Sequence, residues 1–193
     1  MNQESISKRK RIDVFWGESS ACDHTVQIYE DDGAFLDALE GFVAGGIRQG
    51  DAIILIATPA HLAGLEMRLE SSGFDVGAAI VRDQYIAVDA RRALASFMID
   101  GWPDEALFHK FVDGLLLRAK GRHRKVRAFG EMVALMWAEG QSSATVRLEH
   151  LWTRLVLQES FSLFCAYPKT GFADDADDGI AEVCAAHSRL YAI

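Results

Sequence analysis

Asp51-Ala-Ile-Ile-Leu-Ile-Ala-Thr-Pro-Ala-His61 decides the fold of this chain. Residues 52–57 are apolar without a break and follow a turn at Gln49-Gly50-Asp51. A run of this length, closed off by turn residues, predicts a strand covered on both faces, as in a parallel sheet. Thr58 followed by Pro59 is the N-cap and first-position pair of a helix. Leu62, Leu65 and Leu69 then mark that helix's inner face. A buried strand passing straight into an amphipathic helix is half of a βαβ unit.

Outward from this unit the same alternation recurs. Residues 25–29 (TVQIY) predict a strand, and Asp31 or Asp32 caps a helix carrying Phe35, Leu36, Leu39, Phe42 and Val43. Gly45-Gly46 is expected to end it. A β-like stretch at 76–81, a short strand at 85–88 and a short helix over 90–98 come next. Trp102-Pro103-Asp104 opens a helix with Leu107, Phe108, Phe111, Val112 and Leu115 inward. Residues 125–129 predict a strand, 131–139 and 144–159 two helices, 161–167 a last buried strand and 177–191 a last helix. The fold class is therefore α/β: a mostly parallel sheet with helices on both faces. Residues 1–22 lack periodicity and predict a flexible basic N-terminal tail, with Val14, Phe15 and Trp16 available to dock. Residues 23–193 are expected to form one domain.

Composition narrows the function classes. At 193 residues the chain has the size of a single domain. Its three cysteines, Cys22, Cys165 and Cys184, form no C-x-x-C pair and leave one thiol over, which argues against a disulfide scaffold and for a reducing compartment. The net charge is −8, and from Ile12 onward 16 basic residues face 27 acidic ones. An acidic body is a poor default partner for nucleic acid. No stretch reaches the ~18 consecutive apolar residues of a membrane span, and no apolar segment follows the basic Lys8-Arg9-Lys10-Arg11 as in a secretory signal. A cytoplasmic location is expected, with no membrane contact and no specific nucleic acid.

Motifs of catalysis are missing. A P-loop needs G-x-x-x-x-G-K-[ST] after a strand, so that backbone N–H groups and a Lys cradle phosphate. After residues 52–57 the sequence offers Thr58-Pro59-Ala60-His61 instead. There is no G-x-S-x-G elbow, and the six histidines form neither H-x-x-x-H nor H-E-x-x-H, so no metal site and no cofactor is signalled. The chain is expected not to be an enzyme.

Site candidates follow from one rule: in open α/β sheets, ligands bind outside the C-terminal strand ends. Tyr29 and Glu30 end the first strand, Thr58 and His61 follow the second, and Glu131 follows the strand at 125–129. Glu131 is equally suited to binding a polar ligand and to complementing a helix N-terminus. A lone His in a first helical turn is more often a surface residue. Met132, Met136 and Trp137 fit an apolar pocket wall or, more simply, the core. Cys165 reads as an inert core thiol, and Cys184 beside His187 as packing rather than an activated thiolate. The basic segment from Arg118 to Arg127 fits a solvated helix end better than a phosphate grip, since no aromatic interleaves its charges before Phe129.

These elements form an ordered series: His24-Thr-Val-Gln-Ile-Tyr29-Glu-Asp, then Phe35 through Gly46-Ile-Arg-Gln-Gly50-Asp, then Val126-Arg-Ala-Phe-Gly130-Glu131-Met132, then Glu149, Cys165-Ala-Tyr167 and His187. The series resembles the MEDS family, the sensory domain named after methanogens, methylotrophs and the dichloromethane regulator, over about residues 24–190. The matching family positions are His24, Tyr29, Gly50, Gly130, Glu131, Glu149 and Tyr167. The resemblance implies a RecA-like or KaiC-like three-layer core without a working P-loop, and a role in sensing small molecules such as hydrocarbon derivatives. Such domains sit beside histidine kinases, anti-sigma elements or DNA-binding regions. This chain has no room for an output domain beyond the sensor, so a partner protein is expected to carry the output.

Three readings stand: a sensory domain with a small-molecule ligand and a partner such as a histidine kinase or anti-sigma element; a degenerate RecA-like nucleotide-binding protein or enzyme; and an interaction scaffold. Self-association into a homo-oligomer is compatible with all three. The expected ligand pocket lies at the C-terminal strand ends, lined by Tyr29, Thr58, Glu131 and Tyr167, with Met132 and Trp137 as walls.

Overall fold

The computed structural model describes residues 3–18, 20–121, 124–172 and 177–191. In chain order the elements are α1 (Gln3–Gly17), β1 (His24–Tyr29), α2 (Asp32–Gln49), β2 (Ala52–Ala57), α3 (Pro59–Ser71), α4 (Val76–Val81), β3 (Tyr85–Asp89) and α5 (Ala90–Phe97). There follow β4 (Met98–Ile99), β5 (Trp102–Pro103), α6 (Glu105–Lys120), β6 (Val126–Gly130), α7 (Met132–Ala138), α8 (Ser142–Glu159), β7 (Ser162–Pro168), a single 3-10 turn (Lys169–Gly171), α9 (Asp177–Ala185) and β8 (Arg189–Leu190). Six strands pair in parallel in the order β3-β2-β6-β7-β1-β8, and β4 and β5 form a small antiparallel pair apart from them.

The all-apolar β2 is buried at every position because it is covered twice. Ile53, Leu55 and Ala57 join Phe129, Phe164 and the helices α1–α4 on one face. Ala52, Ile54 and Ile56 join Ala128, Cys165, Tyr167 and the helices α5–α9 on the other. The result is a helix–sheet–helix sandwich of three layers. The chain crosses the sheet one way through the first face and returns through the second, which keeps its crossovers of one hand. At three places neighbouring strands therefore send their chains to opposite faces: between β3 and β2, between β2 and β6, and between β7 and β1; at β2 and β6 the two connections also run apart, toward β3 and toward β7. Such switch points open a crevice at the C-terminal strand ends.

Four expectations need correction. The loose tail is α1, whose Ile12 and Trp16 are buried against α2. α2 does not stop at Gly45-Gly46. It runs to Gln49 and ends on Gly50, whose φ of 80° only glycine adopts freely. Gly46 serves close packing, since a Cβ there would lie 2.6 Å from Ile53 Cδ1 and 2.8 Å from Arg127 Cδ. The β-like 76–81 stretch is α4, because Asp75 Oδ1 accepts the Ala78 N–H at 2.8 Å and starts a helix. The last predicted helix stops at Ala185, and Arg189–Leu190 add a sixth strand beside Thr25 and Val26. The acidic run at 174–178 begins outside the described residues.

Candidate functional site

The β2–β6 switch point joins three of the residues singled out by the strand-end rule. Thr58 leaves β2 toward α3, and Glu131 leaves β6 toward α7 on the opposite face. The Thr58 N–H donates to Glu131 Oε2 at 2.7 Å, and His61 Nδ1 lies 2.8 Å from Glu131 Oε1. The Thr58 hydroxyl donates to the same oxygen at 3.4 Å while accepting the His61 N–H at 3.4 Å. Glu131 is buried, and the His61 side chain keeps 17% of its surface exposed. The carboxylate thus fastens the start of α3 to the start of α7. The Phe35 ring meets His61 edge-on at 4.9 Å and stacks on Tyr29 at 4.9 Å, forming an apolar floor. Burial, with the charges of Glu131 and Asp32, raises the Tyr29 hydroxyl, so it stays protonated.

Bonding to Glu131 holds the His61 imidazole above its ordinary value against the opposing effect of burial, with Asp32 adding attraction. A group raised on folding contributes stability that is complete below its unfolded value, about 6.5, and is lost as pH rises through the folded value. The melting temperature of wild type should therefore fall on going from pH 6 to above neutrality more than that of His61→Gln. Parallel curves for the two proteins in a pH series of thermal melts would contradict this.

A second group lies inside the α8–α9 face. Glu149 on α8 is 1% exposed. Its Oε1 accepts the Tyr167 hydroxyl, and its Oε2 lies 3.4 Å from His24 Nε2 and 3.8 Å from Cys165 Sγ. His187 Nε2 stands 3.5 Å from Glu149 Oε1. Burial opposes the charge of Glu149, but the contacts with His187, His24 and Tyr167 outweigh it and hold the carboxyl down at about 2. Burial and the Glu149 charge raise both the Cys165 thiol and the Tyr167 hydroxyl.

The single pocket expected from the sequence is thus divided. Tyr29, Thr58, His61 and Glu131 gather at the switch point, whereas His24, Glu149 and Tyr167 gather behind the other face. The division follows from strand alternation: Tyr29 and Tyr167 point to opposite sides of the sheet. Met132 is fully buried core. Trp137 is partly buried and packs near Tyr167 and Phe172, at 6.4 and 5.1 Å between ring centres. Glu30 is exposed and pairs with Lys169 at 2.8 Å. By sequence alone Cys165 reads as inert, and His187 enters as a packing neighbour of Cys184 and as a position of the family series. The one signal that connects them is that both stand in that series with Glu149.

The basic segment is largely engaged within the fold. Arg118 pairs with Asp83 at 2.6 Å, Lys120 with Glu159 at 2.7 Å and Arg127 with Asp51 at 2.8 Å. Arg124 donates to the Asp83 carbonyl at 2.9 Å. Arg122 and His123 lie outside the described residues. No helix among the described residues is long and apolar enough to cross a membrane.

An open parallel sheet covered on both faces, with a carboxylate–imidazole pair at its switch point, defines a doubly wound α/β domain. Residues 23–188 match the family model MEDS, the MEthanogen/methylotroph, DcmR Sensory domain. The chain belongs to the MEDS family. No curated protein matches it.

Proposed function

We propose that the domain is a non-catalytic sensory module that binds a small ligand at the β2–β6 crevice and passes its state to a partner protein of a two-component or anti-sigma type pathway. The observation that carries this reading is the Glu131 carboxylate shared between Thr58 and His61. It spans two helices that start on opposite sides of the sheet. A ligand group that competes for Glu131 or His61 alters this polar link between the starts of α3 and α7, and so converts occupancy into a shift between the two layers. The family name supports a sensory role. Thr58-Pro59-Ala60-His61 provides no Lys for a nucleotide's phosphates, which argues against hydrolysis. With Arg118, Lys120, Arg124 and Arg127 engaged internally, specific nucleic-acid binding is not part of this reading.

Thermal melts of the full chain against nucleotides, short alcohols, carboxylates and halogenated one- and two-carbon compounds test the proposal. A non-nucleotide compound at a hundredfold excess over its Kd should add about 2.7 kcal/mol, on the order of 5–10 °C for a chain of this size. Glu131→Gln should abolish most of that rise. Stabilisation by nucleotides alone, or Mg2+-dependent ATP turnover lost in Glu131→Ala, would overturn it.

A further inference from the structure

We infer that His24, Glu149, Cys165 and His187 form a binding site for one zinc-class divalent cation. The four residues come from β1, α8, β7 and the turn after α9. One donor atom from each lies within 4.8 Å of all the others. His24 Nε2 is 3.4 Å from Glu149 Oε2 and 3.5 Å from Cys165 Sγ; Cys165 Sγ is 3.8 Å from Glu149 Oε2. Zinc bond lengths of about 2.0–2.3 Å to nitrogen, oxygen and sulfur give tetrahedral edges of roughly 3.3–3.6 Å. The three separations among His24, Cys165 and Glu149 Oε2 lie close to those edges, and His187, whose Nε2 is 3.5 Å from the other carboxylate oxygen and within 4.8 Å of the remaining donors, closes the fourth corner by a small inward shift.

The outer contacts turn each donor toward the same centre. His187 Nδ1 lies 2.7 Å from the Val183 carbonyl, which only accepts, so Nδ1 carries the proton. Its Nε2 has no hydrogen-bond partner although the side chain is 0% exposed, and it faces Glu149. Thr153 donates its hydroxyl proton to the carbonyl of Glu149 at 3.0 Å or of Ala186 at 3.1 Å. Its oxygen can then only accept from His24 Nδ1 at 3.0 Å, and this leaves the His24 Nε2 lone pair directed inward. Tyr167 occupies Glu149 Oε1 and leaves Oε2 directed at His24 and Cys165. Metal-bound histidines and carboxylates are commonly fixed by outer partners of this kind.

Hydrogen bonding alone leaves the group rich in acceptors. Two imidazole lone pairs and a carboxylate oxygen share the one thiol proton of Cys165. A buried carboxylate needs a compensating positive charge, and a divalent cation supplies it. Imidazole, thiolate and carboxylate together suit zinc, or cobalt as its spectroscopic stand-in. On binding, the Cys165 thiol proton passes to solvent, and four protein ligands close the coordination shell. The cation would tie the turn between α9 and β8 at His187 to β1, α8 and β7.

The test uses the full chain carrying Cys22→Ser and Cys184→Ser, stripped with a chelator and titrated with Co2+ and then Zn2+. One equivalent of Co2+ should give tetrahedral ligand-field bands together with a thiolate-to-cobalt charge-transfer band, and Zn2+ should displace it. Added Zn2+ should also raise the melting temperature. In Cys165→Ser the charge-transfer band should vanish. In His187→Ala, whose folding is checked by circular dichroism and melting without metal, affinity should fall at least ~100-fold. Tyr167→Phe, which removes only an outer partner, should lose about 10–100-fold. Uptake well below one equivalent by the parent, or equal uptake by a folded Cys165→Ser/His187→Ala chain, overturns the inference. In that case protonated histidines alone balance Glu149.

Discussion

Asp51→Ala should lower the stability of the domain by about 3–5 kcal/mol, the cost of leaving one member of a buried ion pair without its partner. Arg127 is the second residue of β6, opposite Ile53, 4% exposed, with Nε donating to Asp51 Oδ2 at 2.8 Å. Its remaining donors reach Gln49 Oε1 at 3.1 Å and, at 3.4 Å, the Phe42 carbonyl. Asp51 is itself 5% exposed. Removing it strands a guanidinium that water cannot reach. For a chain of this length each kcal/mol moves the melting temperature by roughly 2–4 °C, so a drop on the order of 10 °C is expected. The double replacement Asp51→Leu with Arg127→Met should recover much of the loss, because it removes both charges and keeps the volume. A melting temperature within 2 °C of wild type for Asp51→Ala would show that the pair is solvated after all.

Trp16→Ala should cost about 3–5 kcal/mol, the range for emptying a buried Trp site. Trp16 is 1% exposed and its ring lies 4.8 Å from Phe42, 4.9 Å from Phe164 and 5.2 Å from Tyr191. Its Nε1–H donates to the Ala38 carbonyl at 3.0 Å. The α1–α2 contact is close enough that a Cβ on Gly41 would collide with Ile12. By contrast the ion pairs Lys8–Asp37 at 2.7 Å and Arg9–Glu40 at 3.1 Å lie at the surface and contribute about 0–1 kcal/mol each. Replacing Lys8 and Arg9 by Ala should therefore change a urea midpoint far less than Trp16→Ala does. The opposite order would mean that charge, not the aromatic anchor, seats α1.

The layers of this fold were legible where one stretch of sequence carries the whole signal. β2 reads from six uninterrupted apolar residues, α3 from Thr58-Pro59, and Glu131 from its place after a buried strand. Elements whose stability comes from distant partners were not legible. α1 has few apolar residues beyond Ile12, Phe15 and Trp16, and only the α2 surface makes it a docked helix. β8 is two residues long, too short for any periodicity. Arg127 read as one of a run of surface cations because its Asp51 partner is 76 residues away. The same reason hid the full second site. His24 and Cys165 are 141 residues apart, and no spacing rule connects a histidine, a glutamate, a cysteine and a second histidine drawn from four elements.

The position of β1 has a kinetic consequence. Among the described strands it is the earliest in the sequence, yet its neighbours in the sheet, β7 and β8, are the two latest. Until they arrive, His24–Tyr29 has nothing to pair with, while β2, β3 and β6 can already assemble side by side. Closing so long a loop is entropically unfavourable before its contacts form, and sheets dominated by such distant pairings fold slowly. The sheet thus closes around the earliest of its described strands. The apolar residues of β1 and α1 must wait until residues 162–190 have been made, and this is the interval in which a nascent-chain chaperone has most to protect.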